Sequence, residues 1–136
     1  LGYDNTTDAI LVGAGKLGQA LLGYVGFEAY GLNILAAFDA KPTADHTEEG
    51  RPILPMEEME RYCRENNVHM GIITVPADCA QEVCDRMIQC GIKAVWSFAT
   101  SHLEVPEGIL VQYENMATSL AVLSVHLQAH INEEKK

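Results

Sequence analysis

A strand, a glycine turn and a helix follow one another without interruption between Ala9 and Tyr24, and that order constrains the fold more than any other feature of the chain. Ala9-Ile10-Leu11-Val12 favours a buried strand, and Gly13-Ala14-Gly15-Lys16-Leu17-Gly18 follows directly. Leu17, Ala20, Leu21 and Tyr24 then recur at the spacing of one helix face. This is the context in which a G-x-G-x-x-G match points to a dinucleotide. Gly13 permits the tight turn, Gly15 lets the backbone approach a pyrophosphate, and Gly18 lets the helix pack close to the sheet. The N–H groups at the positive end of that helix then hold the anion.

A second strand pattern, Asn33 to Phe38, ends at Asp39, about twenty residues beyond the last glycine. An acid there accepts hydrogen bonds from an adenosine ribose diol and repels a 2′-phosphate, which favours NAD over NADP.

At 136 residues the chain is one domain, with the 48% hydrophobic and 21% charged composition of a globular protein. No apolar run reaches the length that spans a bilayer, and no signal-peptide pattern directs secretion, so the expected location is the cytoplasm. The net charge of −10 repels nucleic acid, so this stretch by itself is not expected to bind DNA. Cys63, Cys79, Cys84 and Cys90 have neither C-x-x-C nor zinc spacing and read as small, mostly buried apolar residues of a reduced compartment.

Residues 1–8 read as a polar linker, and the absence of an initial Met suggests a piece of something longer. A helix is expected from Lys16 to Tyr30 with Gly31 as its cap, and Ala40 to Gly50 reads as a polar loop. A brief extended piece, Arg51 to Leu54, precedes Pro55, which suits the first turn of a helix running to Asn67 with Met56, Met59, Tyr62 and Cys63 on one face. Val68 to Val75 is a strand ended by Pro76. A clear amphipathic helix follows, with Ala80, Val83, Cys84, Met87 and Ile88 inward and Gly91 as its cap. Ile92 to Phe98 and Gly108 to Gln112 complete the strands. The fold class is α/β, an open parallel sheet doubly wound by right-handed crossovers (a Rossmann fold), with its core at residues 9–114.

The last helix, Asn115 to Ile131, differs from the others. Leu120, Ala121, Val122, Leu123, Val125 and Leu127 surround it with apolar groups, so a second subunit is expected to cover it. His126 and His130 lie one turn apart there, but Leu127 stands where a zinc protease helix carries Glu, and they read as ordinary helix residues. No nucleophile elbow or carboxylate pair is present. Tyr24, Tyr30 and Tyr62 are not followed four residues later by Lys, as the acid and charge partner of short-chain dehydrogenases would require. No catalytic metal is implied, and the residues describe a dinucleotide binder rather than an enzyme.

Several motifs together resemble the C-terminal, NAD(H)-binding domain of the Rex family of redox-sensing transcriptional repressors. They are LGYDNT (1–6), AILVGAGKLGQALLGYVGF (9–27), ILAAFDA (34–40), IITVPADCAQEV (72–83), GIKAVWSFA (91–99), LEVPEGI (103–109) and the closing helix, so the match covers nearly the whole chain. The resemblance implies a homodimer with exchanged C-terminal helices, NADH bound in preference to NAD⁺, and operator DNA released on NADH binding. DNA would be contacted only through a winged-helix domain that this chain lacks. It implies that Gly13, Ala14, Gly15, Lys16, Leu17 and Gly18 hold the pyrophosphate and Asp39 the adenosine ribose. Thr74, Val75 and Pro76 would line the site, Tyr24 would match an aromatic that reports on the nicotinamide ring, and Ser97, Phe98 and Ala99 would match the family's Asn-Phe-Ala-Pro.

Three positions depart from the family pattern: Ser97-Phe98-Ala99-Thr100 replaces that motif, Asn115 stands for an acid, and Lys41 replaces an acid beyond Asp39. Two other readings stand beside this one. One is a CoA- or nucleotide-binding module, whose ligand's 3′-phosphate Asp39 disfavours. The other is the cofactor-binding fragment of a nucleotide-sugar dehydratase or dehydrogenase, against which the missing Tyr/Lys pair counts.

Overall fold

The computed structural model describes residues 6–42, 44–47, 50–114 and 116–134. Six parallel strands form one sheet: β1 (Thr7–Val12), β2 (Leu32–Asp39), β3 (Ile53–Pro55), β4 (Met70–Ile73), β5 (Ala94–Ser97) and β6 (Leu110–Tyr113). Their order across the sheet is β3-β2-β1-β4-β5-β6, which reverses direction between β1 and β4. That reversal is the switch point at which doubly wound sheets open a ligand crevice.

Both faces of the sheet are buried because β1 alternates between two clusters. Ile10 and Val12 join Phe38, Ile73 and Val95 on one side, and Ala9 and Leu11 join Ile34, Ala37 and Ile72 on the other. The first side is covered by α2 (Met59–Asn66) through Met59 and Cys63, and by α3 (Ala77–Gln89) through Ala80, Val83, Cys84 and Met87. The second is covered by α1 (Lys16–Leu22) and by a 3-10 segment, Val25–Tyr30. Each fully buried Leu or Met in these layers contributes about 1.5–3 kcal/mol through burial.

Several boundaries differ from those expected. The helix begun at Lys16 stops at Leu22, and Tyr24 takes extended torsions (φ −81°, ψ 113°) before the 3-10 segment begins. Glycines at 23 and 26 weaken helix continuation there. The face of α1 that packs on the sheet is Gly18 and Leu22, with Leu17 and Leu21 half-buried and Ala20 and Tyr24 exposed. Gly18, having no side chain, brings that face nearest the sheet. Pro55 both ends β3, where it pairs with Asp39 on β2, and caps the 3-10 turn Met56–Glu58 that runs directly into α2, so the helix opens after Pro55 as expected but with a 3-10 first turn. β4 and β5 are shorter than their apolar runs, which continue into loops, and Ile88 is only partly buried.

Arg51, between the polar loop and β3, joins layers: its guanidinium donates to the Leu22 carbonyl at the end of α1 and to the Ile34 carbonyl of β2. Gly31 (φ 80°) caps the 3-10 segment, and Gly91 (φ 97°) follows α3. The final helix, α4 (Met116–Glu134), presents Leu123, Val125 and Leu127 at 63%, 68% and 55% exposure. Asn115 lies outside the described residues, as do the side chains of Leu120, Ala121 and Val122. No helix among the described residues is long and apolar enough to cross a membrane.

Candidate functional site

The carboxyl ends of β1, β2 and β4 converge on a crevice of about 520 Å³. Gly13, Gly15, Asp39, Thr74, Val75 and Pro76 all line it. Its floor is the glycine turn. Gly13 has φ 110°, and a Cβ there would stand 2.8 Å from the Thr74 hydroxyl, so both conformation and space demand glycine. Thr74 braces the turn: its Oγ1 lies 2.7 Å from the Gly13 carbonyl oxygen and 3.0 Å from that of Val12. Gly18 packs so tightly on the turn that a Cβ would overlap the Gly13 carbonyl. At Gly15 the situation is reversed. An added Cβ would meet nothing within 4 Å, because that backbone faces the open crevice.

Asp39 sits at the tip of β2 with its carboxylate fixed from two sides. Oδ2 accepts the Ala14 N–H at 2.9 Å and Oδ1 accepts the Lys41 N–H at 3.0 Å. The Ala14 amide is therefore not free for an anion, whereas the amides opening α1 at Lys16, Leu17 and Gly18 have no partner earlier in their helix. A carboxylate can accept about four hydrogen bonds, so each Asp39 oxygen retains capacity for a hydroxyl donor. Lys41 joins this arrangement through its backbone, so the anchoring of Asp39 does not draw on the Lys41 side chain.

The structure brings some expected residues together and leaves others outside the crevice. Ala14, Lys16, Leu17 and Gly18 shape the turn and helix start without lining the cavity. Ser97 is fully buried, and its hydroxyl oxygen accepts the Ala99 N–H at 3.3 Å. Phe98 lies farther along the same sheet edge: its N–H donates to the Ile73 carbonyl at 2.9 Å, one strand over from Thr74. Tyr24 is 53% exposed and meets Phe27 edge-on, with ring centroids 4.8 Å apart.

The wall beyond Asp39 is built by residues that were given no role in the site: Met56, Glu57, Cys79, Glu82, Val83 and Arg86. Cys79 and Val83, and Glu82 and Arg86, are pairs one turn apart on α3. Helix turns that follow a strand's carboxyl end border such a crevice, and this positional rule was the available signal. Cys79 is the exposed thiol of the four cysteines, all of them free. Asp78 beside it, with Glu82 also near, pushes its pKa up, so the thiol is not a poised nucleophile. His130 pairs with Glu134 at 3.2 Å along α4, and no cluster of three metal-ligating side chains occurs among the described residues.

Comparison with known proteins gives the family and the fold. Residues 4–101 match the family model described as the CoA binding domain. The redox-sensing transcriptional repressor Rex of Clostridioides difficile (strain 630) is 41% identical over 125 residues, which is 91% of this chain and 60% of the relative. RSP, a Rex-family repressor of known crystal structure, superposes with a TM-score of 0.84 at 33% identity, over 99% of this chain and 65% of RSP. RSP in complex with NADH superposes with a TM-score of 0.82 at 33% identity over 99% of this chain and 66% of RSP. In complex with NAD⁺ and operator DNA the TM-score is also 0.82, at 32% identity over 98% of this chain and 62% of RSP. The chain thus spans a little under two thirds of the relatives it matches. It belongs to the CoA binding domain family and is a homologue, over nearly its whole length, of the Rex-family redox-sensing repressors.

Proposed function

We propose that this chain is the NAD(H)-sensing domain of a Rex-type repressor and that it has no catalytic activity of its own. The observation that carries the reading is the meeting of the glycine turn, the Asp39 carboxylate and Thr74-Val75-Pro76 in one crevice at the switch point. The open space at Gly15 and the spare acceptor capacity of Asp39 fit a dinucleotide. The former would accommodate the diphosphate and the latter would accept the hydroxyls of the adenosine ribose. Residues 1–8 would serve as linker, 9–114 as the cofactor-binding core and 115–131 as the dimerisation helix. Operator DNA would be contacted by a winged-helix domain outside this acidic stretch.

Diphosphate and adenosine are identical in NADH and NAD⁺, so Gly13 to Gly18 and Asp39 cannot tell the two forms apart. The difference lies in the nicotinamide, neutral when reduced and cationic when oxidised. Phe98, the next backbone along the sheet edge from Thr74, and the aromatic ring of Tyr24 belong to the end where that ring would lie. A cation placed among such groups without a counter-charge is disfavoured. A preference of about 3 kcal/mol there corresponds to roughly a hundredfold difference in affinity. If the reduced ring also selects one arrangement of the dimer, NADH weakens DNA binding and DNA weakens NADH binding to the same degree. The exposed Leu123, Val125 and Leu127 of α4 support a homodimer, in which a second copy covers them. The reading places the protein in the cytoplasm, where this cofactor pair reports metabolic state.

The family's name raises CoA as a second ligand. Three acids, Asp39, Glu57 and Glu82, face the crevice with one cation, Arg86, which disfavours the additional phosphate of CoA or NADPH. Thermal shift in the presence of NADH, NAD⁺, NADPH and CoA tests the reading. NADH should raise Tm most and CoA should leave it unchanged. Stabilisation by CoA alone would overturn the proposal.

A further inference from the structure

We infer that Glu57, Glu82 and Arg86 are specificity-determining residues that read the polar edge of the nucleobase and select adenine over bases with a carbonyl in place of its amino group. The inference rests on the NAD(H) reading above and assigns the end of the crevice beyond the ribose. Two elements form that end. Pro55 stands in register beside Asp39, so the 3-10 turn Met56–Glu58 that follows it begins next to the carboxylate assigned to the ribose. Helix α3 supplies the rest, with Glu82 and Arg86 one turn apart and Val83 between them in sequence. All of these side chains except Glu58 line the same cavity of about 520 Å³. Val83 is buried and Met56 half-buried, whereas Glu57, Glu82 and Arg86 are exposed.

The chemistry of this end is mixed. Met56 and Val83 offer apolar surface to the flat face of a base, and contact of that kind does not distinguish one base from another. The polar edge does. A carboxylate only accepts hydrogen bonds and a guanidinium only donates them. Adenine carries an exocyclic amino group with two donor hydrogens, beside ring nitrogens that accept. Two carboxylates therefore match the amino group, and one guanidinium matches a ring nitrogen next to it. Hypoxanthine, like guanine, has a carbonyl oxygen at that position, and a carboxylate repels it. Among the described residues Glu57, Glu82 and Arg86 enter none of the ion pairs, so their acceptors and donors are available to a ligand. A site that hydrogen-bonds one edge of its ligand rejects a mismatched edge more sharply than apolar contact can.

The test titrates the purified chain calorimetrically with NADH and with reduced nicotinamide hypoxanthine dinucleotide, which carries hypoxanthine in place of adenine and is otherwise the same molecule. The parent should bind NADH at least about tenfold more tightly than the hypoxanthine analogue. Glu57→Gln combined with Glu82→Gln supplies amide N–H donors that a carbonyl accepts, and should bring that ratio below about threefold. Arg86→Met removes the donor to the ring nitrogen and should weaken NADH by about threefold or more. The parent comparison decides the question by itself if a variant does not fold. A parent that binds the two dinucleotides within about twofold of each other overturns the inference and leaves the NAD(H) reading standing. A double variant with the parental ratio, or Arg86→Met with parental NADH affinity, overturns it as well. A parent that binds neither dinucleotide overturns the cofactor reading, and this inference with it.

Discussion

Gly15→Ala and Gly18→Ala place the same methyl group three residues apart with opposite consequences. At Gly18 the new Cβ would overlap the Gly13 carbonyl oxygen and stand 3.2 Å from Leu11 Cδ2. The nearest atom is backbone, so the glycine turn or the whole of α1 must move. Overpacking of this kind costs about 1–3 kcal/mol, offset in part by up to about 1 kcal/mol of helix propensity gained by alanine. A net loss of about 1–2 kcal/mol lowers Tm by roughly 4–8 °C in a domain of this size. At Gly15 the backbone (φ −79°, ψ −161°) suits any residue, and the methyl would stand in open space. Restricting the unfolded chain there should stabilise the fold by about 0.4–1 kcal/mol. Yet the same methyl occupies crevice volume assigned to the diphosphate, so NADH affinity should fall by about tenfold or more, about 1.4 kcal/mol. Differential scanning calorimetry and NADH titration of the two variants give all four numbers. Loss of stability in Gly15→Ala, or parental NADH affinity in it, would refute the reasoning.

Further expectations follow from the same geometry. Asp39→Ala should weaken NADH and NAD⁺ alike, leaving their affinity ratio unchanged in paired titrations. Arg51→Met should lower stability by about 1–3 kcal/mol in urea unfolding, since it leaves the Leu22 and Ile34 carbonyls without their guanidinium donor. Burial, with Cys90 nearby, pushes the Cys63 thiol up to about 11. The unfolded chain then releases that proton at lower pH than the folded one, so this contribution is intact below about pH 9 and is lost as pH rises toward 11. Cys63→Ala should flatten that part of the stability–pH curve. Cys79 should be the first thiol alkylated by iodoacetamide, and NADH should protect it because it lines the crevice.

The parts legible in the sequence were those with a local physical cause. Gly13 and Gly18 were readable because one needs a positive φ and the other a vanishing side chain, and both needs are met within a few residues. Asp39 was readable from its place at the end of an apolar strand. The doubly wound parallel sheet followed from alternating strands and helices, since crossover handedness leaves few arrangements. What was hidden depends on contacts distant in sequence. The capture of the Ala14 amide by Asp39, 25 residues away, removes one anion-binding group that the motif alone assigns to the ligand. Arg51 reads only as the first residue of a brief extended piece, yet its partners lie 29 and 17 residues back. Met56, Cys79, Glu82 and Arg86 carry no periodic signal for a site, because the crevice wall is made by the meeting of α3 with the 3-10 turn Met56–Glu58 that leads into α2. Tyr24 reads as a continuation of α1, and only the glycines on either side of it turn the chain out of the helix.

Parallel calorimetric titrations of the purified chain with NADH and with NAD⁺ test the central claim most directly. The account predicts that both bind to one site per chain and that NADH binds at least about tenfold more tightly. Equal affinities for the two forms, or no binding of either, would contradict it.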